Sequence, residues 1–388
     1  MKTQVVIVGA GPSGTLLAAI LHQHGIDSVV VERQSREYIL GRIRAGVLES
    51  TSAEVLRDAG LGNRLDRDGF VHDNVQIAWR GEDVMTIEFS RLAGKQMIAY
   101  GQTLIQEDLY EAVDERGLNV LFECSDVEIH EVTSETPYVT FERDGETQRI
   151  DCDIVAGCDG QHGVSQRTIP DAEKNIVERA YPFGWLGILS ETRPLPELVY
   201  ANHETGFALC SQRNEKLSRY YVQCTLEDTV DDWSDDRFWS ALLERLPNAV
   251  SEEIETGPSI EKSIAPLKSR VISPMQYGRL YLAGDAAHIV PPTGAKGLNL
   301  AISDVHYLSE AITAFYGGDD TKLDAYSETA LRRVWSSVRF SWWMTTLLHR
   351  FPGQSDFEQR MREEDMTYLN RSEAARTALA EQYVGLTL

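Results

Sequence analysis

The segment VVIVGAGPSGTLLAAILHQHG, Val5 to Gly25, decides the fold. Its β-branched start predicts a buried parallel strand, and the residues from Gly14 onward predict a helix with a period near 3.6. Gly9 permits a tight turn, Gly11 lets a pyrophosphate approach the backbone, and Gly14 lets the helix pack closely on the strand. A second strand, SVVVE, ends in Glu32, where the hydroxyls of a ribose would lie. We therefore expect a dinucleotide site, with a purely structural βαβ turn as the alternative.

Length, charge and cysteine content narrow the class of protein. The chain has 388 residues, 42% of them hydrophobic, which is enough for two or three lobes. The 37 Lys and Arg residues against 60 Asp and Glu residues give a net charge of -23, which disfavours nucleic acid and anionic membranes as partners. We expect neither a leader nor a membrane span, because the chain enters its first strand at once and lacks a long apolar run. Five cysteines without a C-x-x-C pair predict neither a disulfide framework nor a metal site, and favour a reducing cytoplasm.

Two glycine-aspartate elements follow later in the chain. The first, DIVAGCDGQHGVSQR (Asp153 to Arg167), comes after a hairpin whose predicted turn is Asp144-Gly145. The second, GDAAHIVPPTGAKGLNLAISD (Gly284 to Asp304), contains a double proline and two further glycines before a helix. A plain strand-to-helix loop needs about one glycine and one capping residue. This second element therefore predicts a backbone that lies against a large ligand, although each glycine taken singly could be an ordinary turn.

The three elements, in this order, resemble the flavin-dependent aromatic hydroxylases. That resemblance implies that the second aspartate element contacts the ribityl chain of FAD and that Gly294, Gly297 and the following helix face the flavin ring. Other segments resemble the members of the family that hydroxylate 4-hydroxybenzoate to 3,4-dihydroxybenzoate with NADPH and O₂. These segments include GRIRAGVLE (41–49), YGQT (100–103), YPFGWLG (181–187), FSWWMT (340–345) and YVGL (383–386). The resemblance also implies a homodimer.

The resemblance assigns cofactor contacts residue by residue. For FAD they are Gly9, Gly11, Gly14, Glu32, Arg33, Arg42, Arg44, Gln102, Asp159, Arg219, Asp285, Leu298 and Asn299. For NADPH they are Arg33, Gln34, Tyr38, Arg42, Arg44, His162 and Lys268. Arg33 and Tyr38 match the pattern of members that prefer NADPH to NADH, whereas Glu37 would repel the additional phosphate. The chain departs from the family at Arg167, because the family has an arginine one residue earlier.

The middle of the chain predicts the substrate pocket. From about Pro182 to Leu226 the pattern alternates and predicts an inserted antiparallel sheet. Ser211 and Arg213 are two residues apart and share a strand face, as do Arg219 and Tyr221. Arginine binds a carboxylate with two parallel hydrogen bonds. The resemblance implies that Ser211, Arg213 and Tyr221 bind the benzoate carboxylate, with Arg219 near the flavin; the alternative is a polar face turned to solvent.

The phenol of the substrate must also be ionised. A free phenol has a pKa near ~10, whereas electrophilic attack on the ring requires the electron-rich phenolate. The resemblance implies a proton relay through Tyr200, Tyr383 and His72, and a contact from the Pro292 carbonyl to the substrate hydroxyl. Taken singly, each tyrosine is typical of a half-buried aromatic residue and His72 of a surface histidine.

The predicted fold class is α/β, with an FAD-binding doubly wound βαβ domain, an inserted antiparallel β-sheet substrate domain and a helical C-terminal part. Residues 1–73, 99–180 and 268–348 would form the FAD-binding domain, 74–98 and 181–267 the substrate sheet, and 349–388 the C-terminal segment. Long helices are predicted over 323–348 and 357–382. Two other functions stay open, namely hydroxylation of a related phenol such as 3-hydroxybenzoate, and a non-catalytic FAD-binding redox sensor.

Overall fold

The computed structural model describes residues 1–42, 46–79 and 83–385. The strands are β1 (Val5–Val8), β2 (Ser28–Val31), β3 (Val47–Glu49), β4 (Phe70–His72), β5 (Asn74–Trp79), β6 (Asp83–Glu88), β7 (Met97–Ala99), β8 (Asn119–Leu121), β9 (Ser125–His130), β10 (Tyr138–Arg143), β11 (Glu146–Asp151), β12 (Ile154–Gly157), β13 (Asn175–Ser190), β14 (Leu198–His203), β15 (Gly206–Asn214), β16 (Leu217–Cys224), β17 (Ser259–Ser273), β18 (Gln276–Tyr277), β19 (Leu280–Leu282) and β20 (His288–Ile289). The helices are α1 (Pro12–Gln23), α2 (Arg36–Leu40), α3 (Ser50–Asp58), α4 (Gly62–Asp68), α5 (Phe89–Ala93), α6 (Gln102–Arg116), α7 (Ser165–Thr168), α8 (Asp235–Glu244), α9 (Asn248–Ser251), α10 (Gly297–Tyr316), α11 (Thr321–Asp324), α12 (Tyr326–Leu348), α13 (Asp356–Arg371) and α14 (Glu373–Val384).

A six-stranded sheet in the order β18-β19-β12-β1-β2-β8 forms the first core. Its pairs are parallel except for the antiparallel pair β18–β19. All four residues of β1 are buried, because this strand lies inside the sheet and α1, α6 and α10 belong to the same packed core. A continuous apolar run is typical of such a doubly covered parallel strand. The predicted doubly wound domain is confirmed.

An eight-stranded sheet in the order β20-β17-β13-β16-β15-β14-β5-β6 forms the second core. Its pairs are antiparallel apart from β14–β5, which is parallel. Phe238 and Trp239 of α8 pack in the core cluster on one face. The other face carries an aromatic cluster with side chains from α12, α13 and α14. The sheet is therefore buried on both sides, and the predicted insertion of an antiparallel sheet is confirmed.

The two large sheets are joined by one long ribbon. Strands β13 and β17 pair from Asn175 opposite Ser273 to Ser190 opposite Ser259, with a register shift between Ala180 and Gly184. The predicted limits after 180 and 267 fall inside these strands, close to the shift. An irregularity of this kind bends a strand without ending it. The residue limits of the domains therefore stay a prediction, and the structure shows no chain break at them.

Local predictions from turn and helix patterns had mixed outcomes. The hairpin between β10 and β11 turns at Asp144 and Gly145, both with positive φ, as expected for this dipeptide. The single helix predicted over 357–382 is wrong, because α13 and α14 are separated at Ser372. That residue has extended backbone angles, and its hydroxyl accepts the N–H of Ala375 to start the second helix. The break is only one residue long, which is why the helical pattern continued through it.

Two observations concern the environment of the protein. Among the helices of the described ranges, none is long and apolar enough to cross a membrane. The five cysteines are all unpaired thiols, and four of them are buried. The cytoplasmic location inferred from the sequence stays a prediction.

Candidate active site

The turn between β1 and α1 has the shape that a bound dinucleotide requires. A Cβ atom on Gly14 would lie 1.9 Å from the carbonyl oxygen of Gly9, so a side chain there would push the helix off the strand. Gly9 itself has φ +105 and lies against the backbone of Cys158. In contrast, a Cβ atom on Gly11 would meet no atom within 4 Å. Two glycines therefore pack closely while the third leaves the helix N-terminus open to a phosphate.

Glu32 is fixed beside this turn. Its Oε2 accepts the N–H of Ala10 at 2.7 Å, and its Oε1 accepts the N–H of Gln34 at 2.7 Å. An ionised carboxylate has further lone pairs on both oxygens. Glu32 can therefore accept ribose hydroxyls without breaking its existing bonds, in the position predicted from the sequence.

Asp159 contains the clearest sign of a missing partner in this region. Its Oδ2 accepts the N–H of Ser165 at 2.9 Å, whereas its buried Oδ1 has no partner among the described atoms. Burial raises the pKa of the Asp159 carboxyl above its ordinary value. Buried polar atoms are nearly always hydrogen-bonded, so this oxygen fits a hydroxyl or N–H donor from a cofactor. Two further residues predicted to contact FAD lie elsewhere. Gln102 is half-buried at the start of α6, and Asp285 is exposed in the turn Gly284–Ala286.

The loop that carries Asp285 is anchored by a buried ion pair. Asp304 on α10 accepts the N–H of Gly284 at 2.8 Å and contacts Nε2 of His288 at 2.6 Å through the same oxygen. Burial disfavours the charged imidazole, but Asp304 raises the pKa of His288 above its ordinary value. The sequence analysis assigned no role to either Asp304 or His288. The sequence feature that could have indicated this ion pair is Asp304, the one carboxylate within the largely apolar stretch LNLAISDV.

The start of α10 is tied to the N-terminal part of the chain. Asn299 accepts the N–H of Glu49 at 2.9 Å and donates to the carbonyls of Val47 at 2.9 Å and Ala295 at 2.8 Å. These bonds use both N–H donors and one lone pair of the amide oxygen, so for a cofactor contact Asn299 keeps its second lone pair and its backbone. Leu298 beside it is half-buried.

A buried charge cluster lies next to this helix start. Lys296 donates to Glu49 at 2.6 Å and to the carbonyl of Tyr383 at 2.9 Å, and Arg333 contacts the other oxygen of Glu49 at 2.5 Å. Burial lowers the pKa of Lys296 from its ordinary value, and Glu49 opposes this effect. Because Lys296 and Arg333 surround the single carboxylate of Glu49, the cluster favours a negatively charged group beside it. Sequence patterns missed this cluster because its members are far apart in the chain.

The polar face predicted for the substrate sheet lies on the aromatic side of that sheet. Strand register places Leu209 opposite Tyr221 and Ser211 opposite Arg219, so these side chains share a face. The register shifts between Gln212 and Asn214, which places Arg213 at a bulge. Bulges often redirect a side chain next to a functional site. The hydroxyl of Ser211 donates to the carbonyl of Arg219 at 2.8 Å.

The two arginines of this face have different surroundings. Arg219 donates to Oε1 of Glu261 at 3.0 Å and to Oγ of Ser263 at 3.0 Å. Arg213 forms no ion pair with any residue that the structure describes, and its buried Nε has no hydrogen-bond partner there. Burial lowers the pKa of Arg213, and the adjacent Tyr221 opposes this effect. A buried guanidinium without an anion is costly, so Arg213 is prepared for a ligand carboxylate.

The opposite end of the pocket holds a pair of tyrosines. The hydroxyls of Tyr200 and Tyr383 are 2.7 Å apart, and Tyr200 also donates to the carbonyl of Thr293 at 3.1 Å. Burial raises the pKa of Tyr200 to about 12 and that of Tyr383 well above its ordinary value. Both phenols therefore remain neutral and can pass a proton without holding a charge.

His72, the third predicted member of the relay, and Pro292, the predicted partner of the substrate hydroxyl, are less closely placed. His72 is buried, and burial lowers the pKa of its imidazole, but it makes no hydrogen bond with the described residues. The structure thus brings Tyr200 and Tyr383 together and leaves His72 outside hydrogen-bonding distance. Pro292 is exposed, and its carbonyl accepts the N–H of Ala295 at 2.9 Å, which leaves a second lone pair for a substrate hydroxyl.

A series of aromatic rings in contact, one pair stacked and two pairs tilted, connects Tyr221 with Tyr200. The ring centroids of Tyr221 and Trp185 are 5.1 Å apart, those of Trp185 and Phe207 4.8 Å, and those of Phe207 and Tyr200 6.1 Å. A Cβ atom on Gly187 would lie 2.6 Å from the Tyr221 ring, so only glycine allows this ring to lie against β13. The arrangement can hold a flat aromatic ring with an anionic group at one end and a hydroxyl at the other.

The residues predicted to bind NADPH lie mostly at the surface. Arg33, Tyr38, Arg42 and His162 are exposed, whereas Gln34 and Lys268 are partly buried. The guanidinium of Arg42 is 5.9 Å from the centroid of the Tyr38 ring. Arg44 lies outside the described residues. Their role in binding NADPH stays a prediction.

Comparisons with known proteins agree with this geometry. The model of the FAD binding domain family matches residues 2–341. A p-hydroxybenzoate hydroxylase from Acinetobacter baylyi is 49% identical over 389 residues, covering 100% of this chain and 96% of the relative. A 3-(3-hydroxy-phenyl)propionate/3-hydroxycinnamic acid hydroxylase from Mycolicibacterium gilvum is 26% identical over 83% of this chain, which spans 56% of that relative.

A solved structure supports the fold. That of p-nitrophenol 4-monooxygenase from Pseudomonas putida superposes with a TM-score of 0.82 at 19% identity, covering 100% of both chains, which shows the fold alone. The family match and the full-length relative confirm the predicted family and its FAD cofactor. The chain belongs to the FAD-binding family of flavin-dependent aromatic hydroxylases.

Proposed function

We propose that this protein is an FAD-dependent monooxygenase that converts 4-hydroxybenzoate to 3,4-dihydroxybenzoate with NADPH and O₂. The observation that carries the proposal is the partly buried Arg213 guanidinium, which has no anion among the described residues and lies beside Tyr221 in the aromatic cluster that also contains the Tyr200–Tyr383 pair. The full-length relative is named for p-hydroxybenzoate, which favours this substrate over 3-hydroxybenzoate and over a redox sensor.

The substrate would lie with its carboxylate at the sheet and its hydroxyl at the tyrosines. Arg213 would pair with the carboxylate, and Tyr221 and Ser211 would complete the hydrogen bonds around it. The para position of the hydroxyl suits a site whose two polar ends are connected by a series of aromatic rings. Tyr200 and the carbonyl of Pro292 would hold that hydroxyl.

The chain's own groups would then move the phenolic proton. Tyr200 accepts it while its own hydroxyl hydrogen turns to Tyr383, and the two phenols stay neutral because burial raises the pKa of both. Tyr383 would then pass its own proton through a bridging water toward His72 and the solvent; because burial lowers the pKa of His72, the imidazole would pass this proton on and not retain it. The result is a bound phenolate, whose ring is activated for attack.

The groups that fit FAD are the open turn at Gly11, the fixed carboxylate of Glu32 and the unpaired oxygen of Asp159. Bound FAD supplies the transfer of one oxygen atom from O₂ after reduction by NADPH. The other residues predicted for the cofactor, namely Arg33, Arg42, Gln102, Arg219, Asp285 and Leu298, stay proposals.

Replacing Arg213 by lysine tests the carboxylate site. Lysine keeps the charge but loses the two parallel donors, which are worth about 1.5–3 kcal/mol, roughly ten- to a hundredfold in affinity. We expect weaker binding of 4-hydroxybenzoate in a titration of flavin absorbance, with unchanged FAD content. Arg332→Lys is the matched control, because that side chain is exposed and pairs with Glu328 on its own helix. Parental affinity in Arg213→Lys would contradict the proposed role.

Replacing Tyr200 by phenylalanine tests the relay. The ring packing survives, but the substrate loses the group that accepts its proton. We expect binding to persist while the bound phenol no longer ionises between pH 6 and 9. NADPH oxidation should then yield mainly H₂O₂ and less dihydroxybenzoate, because the neutral phenol is a poor nucleophile.

The readouts are dihydroxybenzoate formed per NADPH consumed and the visible spectrum of bound substrate against pH. His72→Asn should act more mildly, since water can replace the outermost link. A Tyr200→Phe protein with one product per NADPH and parental ionisation of the substrate would exclude the relay.

We propose in addition that the protein forms a homodimer. Trp335 and Trp342 lie seven residues apart on α12 and are each 40% exposed. Aromatic side chains exposed in this way are typical of interfaces. We expect the parent protein to sediment as two chains and Trp342→Glu to shift toward one, because the carboxylate would be buried in the contact. A parent that sediments as a single chain at micromolar concentration would refute this arrangement.

A further inference from the structure

His349 is a buried histidine to which neither the sequence motifs nor the proposed relay assign a task. It follows the last residue of α12, and its side chain is fully buried. Its ring is stacked on Phe183 at 4.7 Å and on Phe207 at 4.3 Å between centroids. Burial lowers the pKa of His349 to about 3, so the imidazole is neutral at any working pH.

The hydrogen bonds of His349 define its tautomer. The indole N–H of Trp185 donates to Nε2 at 2.6 Å, and an indole nitrogen is only a donor. Nε2 is therefore the unprotonated nitrogen, and Nδ1–H donates to the carbonyl of Thr345 at 2.9 Å. The one cation near the ring in the described part of the chain is Arg362, which donates to the His349 carbonyl at 2.9 Å.

Thr345 connects this histidine to the relay. Its hydroxyl donates to the carbonyl of Ser341 at 2.7 Å, so it must accept the hydroxyl hydrogen of Thr293 at 2.9 Å. Thr293 in turn offers its carbonyl to the hydroxyl of Tyr200 at 3.1 Å. Gly294 beside it also packs against α12, since a Cβ atom there would lie 2.8 Å from Oγ of Ser341. The turn Pro292–Gly294 is thus held by α12, and His349 fixes the end of that helix.

The position of Thr293 affects the relay directly. Tyr200 has one hydroxyl hydrogen and two neighbouring oxygens to receive it, the Thr293 carbonyl and the Tyr383 hydroxyl. Proton transfer requires this hydrogen to turn toward Tyr383, so the distance to Thr293 decides how easily it turns. Trp185, the donor to His349, also packs against the tilted ring of Tyr221 at the carboxylate end.

We propose that His349 is a positioning residue that holds Thr293, through Thr345, at the distance from Tyr200 that permits ionisation of the substrate. The proposal rests on the proposed hydroxylation of 4-hydroxybenzoate. A merely structural role would lower stability and leave the ionisation of bound substrate unchanged.

The first test compares His349→Phe with His349→Asn. Phenylalanine keeps the stacking and loses both hydrogen bonds, whereas asparagine can keep the donor to the Thr345 carbonyl. We expect His349→Phe to raise the pH at which bound 4-hydroxybenzoate ionises by about one unit, the size of one hydrogen bond. Dihydroxybenzoate formed per NADPH should fall at least about twofold by the same reasoning. In His349→Asn, the ionisation of bound 4-hydroxybenzoate and the dihydroxybenzoate formed per NADPH should both lie between the values of His349→Phe and of the parent.

A second pair, Thr345→Val and Thr345→Ser, keeps the test decisive if the buried histidine cannot be replaced. Valine removes the oxygen that accepts from Thr293 and leaves His349 in place, so the same two shifts are expected. Serine retains that oxygen, so Thr345→Ser should restore the parental ionisation of bound substrate and the parental yield of product per NADPH. A folded, FAD-loaded Thr345→Val protein with parental ionisation and parental coupling would overturn the inference.

Product formation by the unmodified parent protein distinguishes a failure of this inference from a failure of the proposed function. If the parent forms no dihydroxybenzoate from 4-hydroxybenzoate, the proposed function fails and the inference fails with it. If the parent is coupled and the variants behave like it, only the role of His349 is wrong.

Discussion

The partly buried guanidinium of Arg213, whose Nε is buried without a partner among the described residues, is the constraint on which the rest of the site depends. A cation in this position is costly until an anion pairs with it, and the fold provides several features that keep it unpaired. Arg213 lies at the register shift of β15, beside Tyr221, and Arg219 pairs with the nearby carboxylate of Glu261. Core clusters pack on both faces of the central part of the sheet, which reduces the access of water to this region. The specificity for an aromatic acid follows from these features together.

The loop from Gly284 to Lys296 connects this pocket with the cofactor site. Asp304 fixes its beginning through Gly284 and His288, and Glu49 fixes its end through Lys296. Between these anchors the carbonyl of Thr293, in the turn Pro292–Gly294, accepts the hydroxyl of Tyr200. One short segment therefore determines where the cofactor, the substrate hydroxyl and the relay lie relative to one another. Its high content of glycine and proline follows from the close packing on both sides.

Local patterns predicted the parts of the structure that depend on local physics. The glycine spacing in Gly9 to Gly14 and the turn at Asp144 are set by backbone geometry within a few residues, and both appear as expected. The shared face of Arg219 and Tyr221 follows from the period of a strand. These features required no knowledge of the tertiary fold.

Features that depend on distant pairing were not predictable in this way. The contact of Lys296 with Glu49 joins residues 247 positions apart, and no pattern within either segment indicates it. The bulge at Arg213 is visible only once β16 is in register with β15. The resemblance placed His72 in the relay, but the structure shows no hydrogen bond from it to the described residues. A water molecule can connect His72 with the tyrosine pair, whereas the described side chains form no direct hydrogen bond between His72 and that pair.

The most direct measurement of the central claim compares two ligands that differ only in charge. 4-Hydroxybenzoate and the neutral 4-hydroxybenzamide have nearly the same shape, and only the first can pair with Arg213 as an anion. Leaving a buried charge unpaired typically costs about 2–5 kcal/mol, so the amide should bind at least roughly thirtyfold more weakly in a titration of flavin absorbance. Equal affinity for the two ligands would show that Arg213 does not select the carboxylate.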